Sequence, residues 1–463
     1  MALKSMLILG LLAFLVRIGR LFCADGIETL ALVEDSETYL SMARLLVETG
    51  AFLVEPDPGI TAPMSERMPG YLMLLATGKI VLGEMIWPTI IFQAILDSVT
   101  VMLIASIGAC ASTRIGLIAG ILAALWPNLI IHSNQILTDT TYVFFIACFL
   151  FSTIKILERP EVGRMTICAA SLSLATLVRA VSWPLLTMLP VIVFFSLLFR
   201  NVGTKRALAL SIIFLIVALI PLSPWLARNY AMFGSPQLTS QGGSYVSGWV
   251  VPEVLAYEHG TTRSLEAVSL RSNIEAAYLK ETGRPLSTQS RITISNEYQR
   301  RAMDVFWQQS TFAITYVWAK GMAINFLAPA ILLDMEVRRT GHELEAKLSS
   351  ENIVEASIIK RLELRWSAAG IGYRTVLMIA FAGTIFVSGL QLVGFCRSVK
   401  IWPKVTLISV AFVMYFLLVT GPIISAKYRL PIEPILIVWA AIGVDACLRY
   451  ITDKSRKIGP FSN

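Results

Sequence analysis

Asp35, Tyr39 and Ala43 recur every four residues, a spacing that puts a carboxylate and a phenol on one face of a helix. A carboxylate at the mouth of a membrane cavity can take the proton of an attacking hydroxyl or amine. Arg67-Met68-Pro69-Gly70-Tyr71 closes the same loop. Pro69 restrains Met68 to an extended backbone and Gly70 permits a tight turn, so Arg67 faces the loop cavity, where a guanidinium can bind phosphate. Further cations stand in Pro224-Trp225-Leu226-Ala227-Arg228-Asn229-Tyr230 and in Lys427-Tyr428-Arg429-Leu430-Pro431. Asp139 and Arg179 are ionisable groups at the boundaries of apolar stretches. Each has a plainer alternative. Asp35 is also one of nine acids between Cys23 and Met68, where only Arg44 and Arg67 oppose them. Arg67, Arg228 and Lys427-Tyr428-Arg429 also suit side chains that reach from a helix end to lipid phosphate.

The elements that must position these groups are apolar helices. The chain has 463 residues, 56% of them hydrophobic and 15% charged, with mean hydropathy +0.68. A soluble domain carries about a quarter of its residues charged. Apolar runs near 6–22, 88–110, 114–131, 138–157, 165–180, 184–199, 207–224, 373–395, 402–421 and 429–448 predict about ten (10–12) transmembrane helices. The stretches Tyr71–Leu82 and about 311–332, interrupted by charge or proline, read as helices in the outer interface.

Lys and Arg gather between alternate spans, at Arg114, at Lys155 to Arg164, at Arg200 to Arg206, at Arg397 to Lys404 and after Arg449. The positive-inside bias makes these cytoplasmic, with both termini inside and the acidic first loop outside. The formal charge of +8 is therefore no sign of nucleic-acid binding. Lys427 and Arg429 lie on the outer side against that bias, and an anionic ligand would account for them. The chain divides into a transmembrane module, 1–227, with its outer loop 23–87, an outer segment, 228–372, and C-terminal helices, 373–463. Polar helical parts are expected near 263–304 and 335–366. Asp97, the one acid well inside a span, reads as an interhelical hydrogen-bond partner.

Six cysteines without CxxC spacing and three scattered histidines, His132, His259 and His342, give no metal-ligand pattern. No metal is assigned, and metal dependence stays open. There is no GxGxxG, P-loop or GxSxG motif. The first helix is read as uncleaved, because no small-residue cleavage site follows it.

Taken in order, these motifs resemble the GT-C polytopic glycosyltransferases. The closest subset groups protein O-mannosyltransferase-like with aminoarabinose or galacturonic acid transferases. Asp35-x-x-x-Tyr39 resembles the first-loop acid motif and Arg67-x-Pro69-Gly70-Tyr71 the loop-closing one. Leu177-Val178-Arg179, Pro224-Trp225-x-x-Arg228-Asn229-Tyr230 and Tyr428-Arg429-x-Pro431 resemble later signatures. The loop closes on Pro-Gly where aminoarabinose transferases have Pro-Pro.

The resemblance implies an all-α GT-C bundle in a bacterial inner membrane and inverting transfer of a sugar from a polyprenyl-phosphate donor. The acceptor would be an envelope glycan, lipid (lipid A included) or protein. Asp35 would be the base. Arg67, Arg228 and Arg429 would bind donor phosphate, with Arg179 and Lys427 in reserve. Tyr39, Tyr71, Asp139 and Tyr428 would line the cavity. The rival classes are a lipid or solute transporter, for which the inverted repeat is missing, and a non-catalytic partner in polysaccharide assembly.

Overall fold

The computed structural model describes residues 1–22, 26–33, 35–349 and 366–458. Cys23, Asp25 and Glu34 of the acidic loop, and residues 350–365 of the expected helical part 335–366, lie outside the described residues. All ten apolar stretches fold as helices. They are α1 (Leu3–Leu21), α5 (Ile86–Ala111), α6 with α7 (Thr113–Ala124, Pro127–Ser133), α8 (Asp139–Glu158), α9 (Val162–Val178), α10 (Trp183–Leu198), α11 with α12 (Thr204–Leu219, Ser223–Phe233), α19 (Ile371–Ile401), α20 (Pro403–Thr420) and α21 (Glu433–Ile458). Among the described residues, six helical segments are long and apolar enough to cross a membrane, or up to eight if each bent pair is one span. The other two are α1, which carries Lys4, Arg17 and Arg20, and α9, with 17 residues.

One span read as continuous is broken, and another bends at its expected end. The α6–α7 pair bends by 49° and the α11–α12 pair by 54°. Pro127 and Pro224 open the second helix of each pair. A proline supplies no N–H and its ring collides with the preceding turn, so the carbonyls before it are released. In a membrane those carbonyls need donors. At the first break Arg17 of α1 supplies them, donating to the carbonyls of Ala123 and Ala124; at the second, Ser223 donates to the Ile220 carbonyl.

The same Arg17 answers the question of Asp97. Its Nε lies 2.7 Å from the Asp97 carboxylate, and the two side chains are 0% and 2% exposed. Removing one partner of a buried pair costs about 3–5 kcal/mol, because the other charge is stranded. Asp97→Ala should therefore lower unfolding stability by about that amount in detergent, and Asp97→Asn, whose amide oxygen still accepts from Arg17, should lose less. Heat or denaturant unfolding of the purified variants measures both.

The loop between α1 and α5 is built, not irregular. It holds α2 (Ile27–Ala31), α3 (Ser36–Thr49), a hairpin of β1 (Leu53–Asp57) and β2 (Ile60–Pro63), and α4 (Pro69–Leu82). The strands pair antiparallel, Leu53 opposite Pro63 and Val54 opposite Ala62. The hairpin departs from an all-helical expectation. Its cause is local: Pro58 fixes one turn position and Gly59, at φ 77°, takes the left-handed one.

A second group of helices follows α12. It comprises α13 (Gln241–Tyr245), a π-turn (Val246–Val250), α14 (Val251–His259), α15 (Arg263–Thr282), α16 (Arg291–Phe306), α17 (Thr311–Leu327) and α18 (Met335–Ser349). It has its own small core around Val254, Leu270, Ile274 and Phe306. The helix expected over 263–304 is split, because Gly283, at φ 68°, stops α15. α17 packs on the far end of α20 and the irregular stretch after it. Trp318 donates to the Leu418 carbonyl and Asn325 to that of Ile423.

Candidate active site

Asp35 occupies the N-cap of α3, where an aspartate normally bonds a first-turn amide. Its side chain makes no such bond. It turns instead to Arg67, whose Nη2 lies 2.8 Å from Oδ1, and it is 41% exposed. Arg67 also lies over the Tyr39 ring, 5.2 Å from its centre. The expected helical face is real: Tyr39 is buried one turn from Asp35 and meets Tyr71 of α4 edge-on at 5.3 Å. Burial pushes the Tyr39 phenol up from its ordinary pKa, against the pull of Arg67 and Arg179, so it stays protonated and able to donate.

A second ion pair joins α8 to α9. Asp139 is the first residue of α8 and fully buried, and Arg179 is the C-cap of α9. Each sits where the helix dipole favours its sign. Arg179 bonds Asp139 Oδ1 and lies over the Tyr142 ring at 5.7 Å. Lys427 approaches Oδ2 at 3.4 Å. Tyr142 in turn shares a 2.6 Å hydrogen bond with Ser182.

Tyr39 links the two pairs: Arg67 lies over its ring, and Tyr71, edge-on to it, follows Gly70, which packs on Leu177 two residues before Arg179. Tyr428 lies near Arg179. Asp35, Tyr39, Arg67, Tyr71, Asp139, Arg179, Lys427 and Tyr428 thus gather at one end of the bundle. The gathering is fixed by buried polar ties. Ser36 donates to the Ile136 carbonyl at 3.0 Å, and the Ile136 amide to that of Ala31 at 2.9 Å. Tyr71 donates to Gln93 at 2.9 Å, and Gln93 to the carbonyls of Ser133 and Gln135. These ties set residues 133–136 beside the loop, three residues before Asp139. Ser36 and Gln93 were not singled out from sequence. Gln93 had one legible signal, an amide side chain one turn before Asp97 in a mostly apolar span.

Gly70 has a function of its own. A Cβ there would stand 2.8 Å from the Leu177 carbonyl, two residues before Arg179. The glycine lets the start of α4 press directly on the end of α9, where a bulkier residue would push the loop off the Asp139–Arg179 pair.

The two remaining cations are occupied elsewhere. Arg429 is 9% exposed and pairs with Glu433 at 2.8 Å. It also donates to the carbonyls of Phe326 and Ala328 at 2.7 and 3.1 Å. Arg228 donates to the carbonyls of Met64 and Phe52 and lies over Trp225 at 4.8 Å. Both hold backbone carbonyls of loops or helix ends. Among the described residues no three His, Cys, Asp or Glu side chains gather as a metal site.

Residues 66–227 match the family model described as dolichyl-phosphate-mannose-protein mannosyltransferase. The match takes in Arg67, Tyr71, Asp139 and Arg179, and leaves Asp35, Arg228 and Lys427 outside it. No curated protein matches the sequence. Among solved structures, the chain is similar to the oligosaccharyltransferase AglB from Archaeoglobus fulgidus, in complex with an inhibitory peptide and a dolichol-phosphate. The TM-score is 0.53 and the identity 12%, over 100% of this chain and 52% of that one. The chain therefore spans about half the length of that protein. A second similar structure is ArnT from Cupriavidus metallidurans bound to undecaprenyl phosphate, with TM-score 0.41 and 13% identity, covering 97% of this chain and 79% of that one. The oligosaccharyltransferase likeness shows the fold: a mostly helical, multi-pass membrane protein of GT-C-like architecture.

Proposed function

We propose that this chain is a membrane glycosyltransferase that moves a sugar from a polyprenyl-phosphate donor to an envelope acceptor at the loop-bearing face, with inversion. The observation that carries the reading is the convergence of two carboxylate–arginine pairs, Asp35–Arg67 and Asp139–Arg179, around Tyr39. The matched family model and the dolichol-phosphate and undecaprenyl phosphate in the similar structures support the donor class.

In this reading the second oxygen of Asp35 takes the proton as the acceptor oxygen or nitrogen attacks the anomeric carbon. The bond from that carbon to the phosphate oxygen breaks through an oxocarbenium-like state. The leaving polyprenyl phosphate gains negative charge, which preorganised cations stabilise. Arg179, Lys427 and Arg67 are assigned that work. Arg228 and Arg429, already committed to backbone carbonyls, are assigned to holding the loops. The acceptor, whether glycan, lipid or protein, approaches from the loop face, and the isoprenoid chain stays in the bilayer.

Mass comparison of envelope glycolipids and glycans with and without the gene tests the reading. The expected result is loss of one hexose, pentose or uronic acid from a defined product, restored by the intact gene. Identical profiles under conditions of full expression would count against transfer.

A further inference from the structure

The strap that leads from β2 into α4 is gripped residue by residue from α12 and the chain that follows it. Arg228 donates to the carbonyl of Met64 and, at 2.9 Å, to that of Phe52. The Ser240 amide donates to the Ser65 carbonyl at 2.7 Å, and the two hydroxyls stand 2.9 Å apart. Arg291 of α16 pairs with Glu66. The next residue is Arg67, which reaches Asp35. Met64, Ser65 and Glu66 are thus each held by a different downstream residue, immediately before the side chain that contacts the proposed base.

The grips differ in strength. The Arg291–Glu66 pair is 32% and 46% exposed, and such pairs contribute little alone. Ser65 and Ser240 are buried at 1% and 6%, and the Arg228 fork closes two backbone carbonyls. Together they fix the strap at its start, and Pro69-Gly70, pressed on the end of α9, fixes it at its finish.

We propose that Arg228, Ser240 and Arg291 are positioning residues, which hold the strap 64–70 so that Arg67 orients Asp35. The segment 228–306 is then part of the apparatus that aims the base, and does more than cover it. This rests on the reading of Asp35 as base. Displacing a reacting group by about 1 Å can cost on the order of 10²-fold in rate, so a brace remote from the substrate has catalytic leverage.

The test uses the full-length protein in its membrane, with Arg228→Lys and Arg291→Ala combined. Lysine keeps the charge but cannot bond two carbonyls at once. Amide exchange over 64–70 should rise about tenfold, as for a locally released segment. The product identified by the envelope comparison should fall about tenfold, with the amount of protein in the membrane unchanged. Adding Ser65→Cys and Ser240→Cys and oxidising the introduced thiols should restore both readouts, and reduction should abolish the repair. Unchanged exchange overturns the proposal, and so does raised exchange with undiminished product. If the wild-type protein itself yields no product, the glycosyltransferase reading fails, while the exchange measurement still decides whether these residues hold the strap.

Discussion

Asp35→Asn is expected to lower sugar transfer by about 10²–10⁴-fold, the usual contribution of a general base, while the protein still inserts and folds. The separation of the two effects follows from the geometry. Asp35 is 41% exposed, so its loss creates no buried cavity. It makes no capping bond, and asparagine is as good an N-cap as aspartate. The amide oxygen can still accept from Arg67. What asparagine cannot do is take a proton. Quantifying the envelope product from a deletion strain that carries the variant, against the amount of protein in the membrane, measures both sides. Wild-type product from that variant would remove Asp35 from the role of base.

Arg179→Met is expected to have two consequences, which a double variant separates. Asp139 is fully buried, so losing its bonded guanidinium strands a carboxylate with only Lys427, at 3.4 Å, to answer it. The expected destabilisation approaches the 3–5 kcal/mol of a broken buried pair, moderated by that lysine. Transfer should fall by about 10²–10³-fold, as when one preorganised transition-state donor is removed. Arg179→Met/Asp139→Leu should regain stability, because neither charge is then stranded, but not transfer. Recovery of both together would mean that the pair only holds α8 to α9. Unfolding midpoints and product yields of the single and double variants supply the comparison.

Much of the fold was legible because lipid imposes a simple rule. A span needs a long apolar run, and all ten expected runs became helices. The fourfold recurrence of Asp35 and Tyr39 likewise foretold a helical face. The break before Pro127 was less legible. Hydropathy responds to side-chain polarity, whereas a break depends on whether freed carbonyls find donors, and Arg17 is more than 100 positions away in sequence.

The sequence by itself determined the class of groups available: acids and cations at the ends of apolar helices, in an order that resembles one family of lipid-phosphate sugar transferases. It did not determine which cation serves which acid. Arg67, Arg179, Arg228 and Arg429 are alike as sequence, each beside a proline, an aromatic residue or a helix end. Only the tertiary structure divided them, placing Arg67 and Arg179 on carboxylates around Tyr39 and turning Arg228 and Arg429 to loop carbonyls. The physical reason is that a guanidinium satisfies whichever acceptors lie within its reach. Those acceptors, Asp139 from another helix or the Phe326 carbonyl a hundred residues away, become its neighbours only when the chain packs.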